Sequence, residues 1–267
     1  MKTLITTIEN GCLRITLNRP EARNALSRRM VAELQEVIEQ AGSDDSIRVV
    51  VVRGAEGHFC AGADLADMAA ARMEAAGDAA AMARTNRGFG RLISAFDTSP
   101  KTVIAAAEGA VLGGGVGLAC VADVCLVTAD ARIGLPEATL GLPAAQIIPF
   151  VVARVGLSQA RRLALTGARI NGEEACRLGL AHQVCADGAA LDSALAATVE
   201  AALRCAPRAS AMTKNLLLAT RDTAIDDLLD RGAEAFARAA AGEEAMEGTR
   251  AFLEKRAPNW SRTADTT

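Results

Sequence analysis

Between Glu108 and Leu118 the chain reads EGAVLGGGVGL, where three consecutive glycines, Gly113, Gly114 and Gly115, join an apolar strand-like run to the apolar segment Val116–Ala122. A glycine inside a helix costs about 1 kcal/mol relative to alanine and gives up more backbone entropy on folding than any other residue. A triplet at a strand-to-helix junction therefore marks a place where bare backbone must come close to something. Two readings fit. Exposed N–H groups at a helix N-terminus suit an anion, or an oxygen that becomes anionic. A tight strand–helix packing point needs the same glycines and no ligand. Residues 108–118 alone leave the two level.

Around this junction strands and helices alternate. Residues 2–8 and 12–17 predict a β-hairpin about Glu9-Asn10-Gly11, and the segment Asn18–Asn24, with Pro20, breaks the second strand. Ser27 is placed to cap a helix over 28–41 that carries Met30, Leu34, Ile38 and Ala41 on one face. Ile47–Val52 is expected as a buried strand, and the small-residue loop Gly57–Leu65 opens a helical but irregular stretch over 66–83. An amphipathic helix over 84–97 is stopped by Ser99-Pro100, and Thr102–Ala107 is a further buried strand. After the triplet come strands over 122–128 and 131–134, a proline-punctuated stretch Leu135–Phe150, and helices over 145–156, 158–165 and 172–178. The last has Asn171 and Glu174 as a capping box and Gly179 at its C-terminal end. From about 190 the pattern is helical throughout, divided by Pro207. The order implies an α/β fold that ends in helices alone.

Composition narrows the function. The 267 residues allow one large domain, or a core with an appendage, and 51% apolar residues supply a sizeable core. Aromatic residues are only 3% and tyrosine is absent, so that core is aliphatic and stacking on bases is not expected. A net charge of −3 without a basic stripe argues against nucleic acid as a partner. The seven cysteines form neither a CxxC pair nor a Cys/His cluster. Buried reduced thiols of a cytoplasmic protein are expected, rather than disulfides or a metal site. MKTLITTIEN lacks the pattern of a signal peptide, and no stretch of 18 apolar residues is free of charges and helix breakers, so no membrane span is expected. There is no GxxxxGK[ST] and no GxSxG, and Leu118 stands where GxGxxG would need a third glycine. His58 and His182 have no metal-ligand partner at helical spacing and are expected to be surface or packing residues.

Four segments taken together resemble the crotonase (enoyl-CoA hydratase/isomerase) superfamily: ITLNRPEARNALS at 15–27, HFCAGADL at 58–65, AEGAVLGGGVGLACVAD at 107–123 and IGLPEATLGL at 133–142. The tail AFLEKR at 251–256 also matches, and the order and spacing agree over the full length. The resemblance implies a spiral of ββα turns, here 1–195, followed by a C-terminal helical trimerisation region, here 196–267, in a homotrimer or dimer of trimers. It implies an acyl-CoA thioester as the small-molecule partner and no cofactor beyond the CoA of that substrate. The backbone N–H groups of Ala63 and Gly114 would form an oxyanion hole for an enolate. Ala22 and Arg23, with the loop residues Ala61, Asp64 and Leu65, would line the CoA, and Phe252 and Lys255 would reach the CoA of a neighbouring subunit. Arg23 and Lys255 also fit plain solvated cations.

The family's hydratases of the best-known type use two glutamates. One matches Glu137, in the Pro-Glu motif; the other position is Gly117 here. Behind Pro136, Glu137 also fits an acidic residue placed for a helix dipole. The resemblance favours a catalytic role for it. A single carboxylate can move a proton between C2 and C4 of an enoyl thioester, which points toward a Δ3,Δ2-enoyl-CoA isomerase. The stretch LPAAQIIPFVVARVGLSQARRLALTGARI instead is similar to the branch containing isohexenylglutaconyl-CoA hydratase, whose members hydrate branched enoyl-CoAs and also lack the first glutamate. In that segment Gln146 is a candidate polar contact to substrate or water, or a locally satisfied amide. The expected activity is therefore hydration of a 2-enoyl-CoA, with the isomerase as alternative and a CoA-binding trimer without catalysis behind both.

Overall fold

The computed structural model of the chain describes residues 1–261. Strands β1 (Leu4–Glu9) and β2 (Cys12–Leu17) form the expected hairpin. Asn10 and Gly11 both take positive φ, 50° and 77°, as a two-residue hairpin turn matching strand twist requires. Helix α1 (Arg28–Ser43) begins where the Ser27 hydroxyl accepts the Met30 N–H at 3.2 Å. Strand β3 (Val49–Gly54) starts two residues later than its apolar run. Ile47 is buried ahead of the ladder, in the turn that follows α1. The stretch read as irregular, 66–83, holds α2 (Leu65–Glu74) and the first turn of α3 (Ala79–Asp97), which continues as the amphipathic helix expected over 84–97; the two are capped by Asp64 and Asp78. Then follow β4 (Thr102–Ala107), β5 (Ala110–Leu112), α4 (Gly114–Val121), β6 (Val124–Thr128) and β7 (Arg132–Gly134).

Helix α5 (Ile148–Thr166) is broken at Gly156, φ 73° and ψ 159°, so it is in effect the two helices the sequence predicts. The rest comprises β8 (Arg169–Ile170), α6 (Gly172–Arg177), β9 (Gln183–Cys185), α7 (Gly188–Leu203), α8 (Pro207–Ala219), α9 (Ile225–Ala240) and α10 (Glu243–Leu253). The cap of α6 is only half a capping box. Asn171 accepts the Glu174 N–H at 2.9 Å, while the Glu174 carboxylate turns to Arg162 at 2.6 Å.

The main sheet runs β1-β2-β3-β4-β6-β9, parallel from β2 onward, and a small sheet runs β5-β7-β8. Side-chain alternation explains why the inner strands are apolar without interruption. Val50, Val52, Val103, Ala105, Cys125 and Val127 face the large core under α1, α3 and α4. Val49, Val51, Ile104, Ala106 and Leu126 face the opposite side, where Leu191, Leu195 and Val199 of α7 cover them. A parallel sheet needs both faces covered. The expected boundary between 195 and 196 thus falls inside a helix that is part of the sheet's second layer. Helices α8, α9 and α10 differ in kind. They bury only Ala235 and Ala251, and expose Leu217, Ile225, Leu229, Phe236, Met246, Phe252 and Leu253.

One buried polar side chain ties the turn after β2 to the loop after β3. Asn24, fully buried with φ 57°, accepts the Arg19 N–H at 2.9 Å and donates to Ala55 O at 2.9 Å and His58 O at 2.6 Å. Asn24→Ala leaves these three backbone groups without their partner and should lower stability by about 2–3 kcal/mol. The urea unfolding midpoint at fixed protein concentration measures it. An unchanged midpoint would show that the turn holds without this side chain.

Candidate active site

The glycine triplet sits between β5 and α4, and each glycine is required by a different neighbour. Gly113 has φ 49° and ψ −114°, and a Cβ there would lie 2.7 Å from Glu137 Oε1. A Cβ at Gly114 would lie 2.8 Å from Leu26 and 3.0 Å from Phe89, and one at Gly115 would lie 2.6 Å from Cys60 O. The triplet is therefore a tight packing point, as one reading held, and it also leaves free donors. Among the described residues neither the Ala63 N–H nor the Gly114 N–H finds an acceptor.

The loop 60–64 is laid alongside this junction by backbone pairing. Cys60 N–H donates to Ala110 O at 2.8 Å and Leu112 N–H to Cys60 O at 2.9 Å. Leu26 N–H donates to Gly62 O at 2.7 Å and Asp64 N–H to Leu26 O at 3.1 Å. Gly62 and Gly113 touch: a Cβ on Gly62 would lie 3.7 Å from Gly113 Cα. The residues that follow them are Ala63 and Gly114, so the two free N–H groups belong to a loop and to the first residue of α4 beside it. Ala63 is exposed and Gly114 half-buried, leaving the donors reachable from outside.

Glu137 opens a short 3-10 turn, Glu137–Leu140, after β7. Its Oε2 is buried and, among the described residues, has no hydrogen-bond partner. Burial pushes its carboxyl above the ordinary carboxylate range, and its own N–H only partly offsets this. The arrangement is an under-solvated carboxylate against the backbone of Gly113, one residue from an unoccupied helix N-terminal donor. It can accept a proton from a water or a carbon acid, while the donors take up negative charge.

Position 117 is not an empty place left by a missing acid. A Cβ on Gly117 would lie 2.4 Å from Ile147 Cγ2 and 3.4 Å from Ile93 Cδ1. Ile147 fills the notch. The preceding residue, Gln146, fills a second one: a Cβ on Gly90 of α3 would lie 2.0 Å from Gln146 Oε1. Gln146 Nε2 donates to Asn86 Oδ1 at 2.8 Å, so the amide is held between α3 and the start of α5.

The other candidates divide. Arg23 O accepts the Ala61 N–H at 3.0 Å, which joins the turn at Ala22 and Arg23 to the loop at 61–65. Arg23 and Leu65 are exposed. The Asp64 carboxylate is engaged within the chain. It accepts the Ala66 and Asp67 N–H groups at 3.0 Å each and pairs with Arg19 at 2.7 Å. Burial opposes its ionisation, but these donors hold its carboxyl below the usual range. Phe252 is 82% exposed and Lys255 is exposed beyond α10, and the single chain does not bring them to Glu137. His58 is partly buried and His182 is exposed, and each Nδ1 accepts a backbone N–H, from Ala110 at 3.2 Å and Cys125 at 2.9 Å. Among the described residues no cluster of metal-ligating side chains occurs and no helix is long and apolar enough to cross a membrane.

Sequence reasoning did not find Leu26 and Phe89, which pack against Gly114, or Ile147, which packs against Gly117. They are ordinary apolar residues, and no local pattern links them to the glycines they meet.

The family model described as enoyl-CoA hydratase/isomerase matches residues 7–263. Among curated proteins, the 2,3-dehydroadipyl-CoA hydratase of Escherichia coli strain K12 is 36% identical over 261 residues, 97% of this chain and 99% of that protein. Among solved structures, Pseudomonas aeruginosa AtuE is 54% identical with a TM-score of 0.94, covering 97% of this chain and 100% of that one. An enoyl-CoA hydratase/isomerase from Marinobacter aquaeolei is 49% identical with a TM-score of 0.95, covering 98% and 100%.

Filling Gly117 should be destabilising because Ile147 already occupies its space. Gly117→Ala is expected to cost about 1–3 kcal/mol by overpacking. Combined with Ile147→Ala, the loss should be smaller than the sum of the two single losses. Thermal unfolding of the three variants measures this, and strict additivity would mean that the two residues do not share one space.

Proposed function

We propose that this chain, which belongs to the enoyl-CoA hydratase/isomerase family, adds water across the C2=C3 bond of a 2-enoyl-CoA, branched acyl chains included. The observation that carries the reading is the buried, unpartnered Glu137 Oε2 beside the free N–H groups of Ala63 and Gly114. In this reading the thioester oxygen accepts both N–H groups, and Glu137 holds a water below C3 and takes its proton as the C–O bond forms. The electron pair of the double bond moves toward the thioester as an enolate, and its charge falls on the oxygen between the two donors. A preorganised donor of this kind is worth about 3–4 kcal/mol in the transition state. Glu137, now protonated, returns the proton to C2. The addition is redox-neutral and moves one proton at a time, so the reading asks for no cofactor beyond the CoA of the substrate.

The CoA would lie along Ala22, Arg23, Ala61, Asp64 and Leu65, Asp64 contributing backbone because its carboxylate caps α2. The exposed apolar residues Ile225, Leu229 and Phe236, spaced along one face of α9, support a homotrimer or dimer of trimers built through the helical end of the chain. In such an assembly Phe252 and Lys255 would reach a neighbour's CoA. The cytoplasm suits seven free cysteines, five of them buried. The resemblance of residues 142–170, with VLGGGVGLACVAD, to the branch containing isohexenylglutaconyl-CoA hydratase supports branched substrates.

A second reading is favoured by Ile147 in the place of the other acid. With one carboxylate, the same pocket could shuttle a proton between C2 and C4 as a Δ3,Δ2-enoyl-CoA isomerase. Absorbance separates the two. A hydratase consumes the conjugated thioester band of a 2-enoyl-CoA in water, whereas an isomerase generates that band from a 3-enoyl-CoA. No change with either, over straight and branched chains, would leave a protein that only binds CoA.

Glu137→Gln should lower kcat by at least about 100-fold, the lower range for a positioned acid–base group, with CoA affinity retained. Full activity in this variant would end the single-carboxylate mechanism. The pH dependence has two signs. As a base Glu137 must be ionised, so kcat/KM of the wild type should fall on the acid side at a pH above the ordinary carboxylate pKa of about 4.3. In the folded state the raised pKa favours the protonated carboxyl, so wild-type stability declines as pH rises through it. Glu137→Gln should lack that decline and show the higher Tm at pH 8.

A further inference from the structure

At the opposite end of α4 from Gly114, one guanidinium holds the last carbonyls of the helix. Arg154, on the first half of α5, donates from Nε to Cys120 O at 3.1 Å and from Nη2 to Ala119 O at 3.5 Å and, more closely, to Ala122 O. The carboxylates that share this cleft, Asp97 and Asp123, are paired with Arg221 and with Lys214, the latter at 2.7 Å. Among the described residues no carboxylate pairs with Arg154. Its other neighbour is His182, whose Nδ1 already accepts the Cys125 N–H at 2.9 Å. In the neutral ring the proton then sits on Nε2, which faces Arg154 Nη1 at 3.3 Å as donor to donor. Burial and the Arg154 charge hold His182 below the usual histidine range, so the guanidinium meets no second cation there.

Helix α4 depends on such outside contacts. It has 8 residues, includes Gly114, Gly115 and Gly117, and starts without a side-chain cap. That is well short of the roughly 12–15 residues at which a free helix becomes even marginal in water. The stretch from Ile147 to Arg154 grips it at two points, Ile147 in the notch at Gly117 and Arg154 at the C-terminus. Residues 148–155 reach their break only at Gly156, so the two grips lie on one helical segment. A cation at a helix C-terminus also offsets the negative end of the helix dipole, here about 12 Å from Gly114 at 1.5 Å per residue.

We infer that Arg154 is a positioning residue for the thioester oxyanion: by fixing α4 and compensating its negative end, it sets how strongly the Gly114 N–H meets that oxygen. The inference rests on the oxyanion reading of Gly114 given above. It concerns one donor of two, because Ala63 lies on a separate loop. Loss of Arg154 should therefore weaken catalysis less than deleting a donor outright, which costs about 100- to 1,000-fold.

The test uses Arg154→Gln and Arg154→Lys, assayed well below the Tm of each. Arg154→Gln should lower kcat about tenfold with KM within about threefold of wild type, an effect below the range for a deleted oxyanion donor. Arg154→Lys keeps the charge but loses the fork, and should fall between; if the glutamine variant does not fold, it carries the test. A spectroscopic readout accompanies the kinetics. In a Glu137→Gln background a bound 2-enoyl-CoA is turned over slowly enough for its spectrum to be read first, and hydrogen bonds to its thioester oxygen shift the conjugated band to longer wavelength. Adding either Arg154 substitution should reduce that shift. If the variants lose only thermal stability, while kcat per folded site and the shift stay at their reference values, the inference is overturned. If Glu137→Gln alone shifts the band of no 2-enoyl-CoA that it binds, the oxyanion reading fails first and takes this inference with it.

Discussion

Gly113 joins β5 to α4 in a backbone conformation that side-chain-bearing residues rarely take, with its bare Cα face turned to the Glu137 carboxylate. Much of the site's geometry follows from this one contact. The Gly113 N–H donates to Gly134 O at 2.9 Å, which brings the end of β7, and with it Glu137, against the helix start. The backbone pairing of Cys60 with Ala110 and Leu112 brings the second loop to the same place. A side chain at 113 would meet a carboxylate oxygen, and it would also have to adopt positive φ. Sterics and backbone strain thus select glycine together.

The cost of that arrangement falls on Glu137. A carboxylate whose second oxygen is buried without a partner is a destabilising feature in any fold. It persists here near the N–H groups of Ala63 and Gly114, which find no acceptor among the described residues. A buried acceptor and two N–H donors without partners among the described residues are groups that a bound ligand would complete, and the proposed function rests on them. Around it the fold is conservative: aliphatic layers on both faces of a parallel sheet, with helices α3 and α5 closing the far wall.

The pair Gly117 and Ile147 changes the meaning of the missing acid. Seen alone, glycine at 117 is an absence. In three dimensions it is a receptor for an aliphatic side chain thirty positions later, and Gly90 is the matching receptor for Gln146. Two consecutive residues dock into glycines on two different helices, which fixes the segment between Glu137 and α5. The site has not lost a glutamate so much as gained a wall.

Much of this protein was legible in its sequence. The hairpin at Asn10-Gly11, the Ser27 cap, the α/β order and the helical end follow from local chemistry: turn residues, caps and the periods of side-chain direction. The glycine triplet was legible as a strand-to-helix junction because its spacing is local, whereas Glu137, Ala63 and Gly114 were singled out only through the resemblance of whole segments to a known family. The tertiary structure decided the rest. The strand starts that came two residues late, at β1, β3 and β6, depend on where the neighbouring strand offers a partner. The burial of Glu137 Oε2, the seat of Ile147 on Gly117 and the hold of Arg154 on α4 join residues remote in sequence. No periodicity encodes them, because which surfaces meet is set by how whole elements pack, and one register of packing is selected only when the entire core is filled.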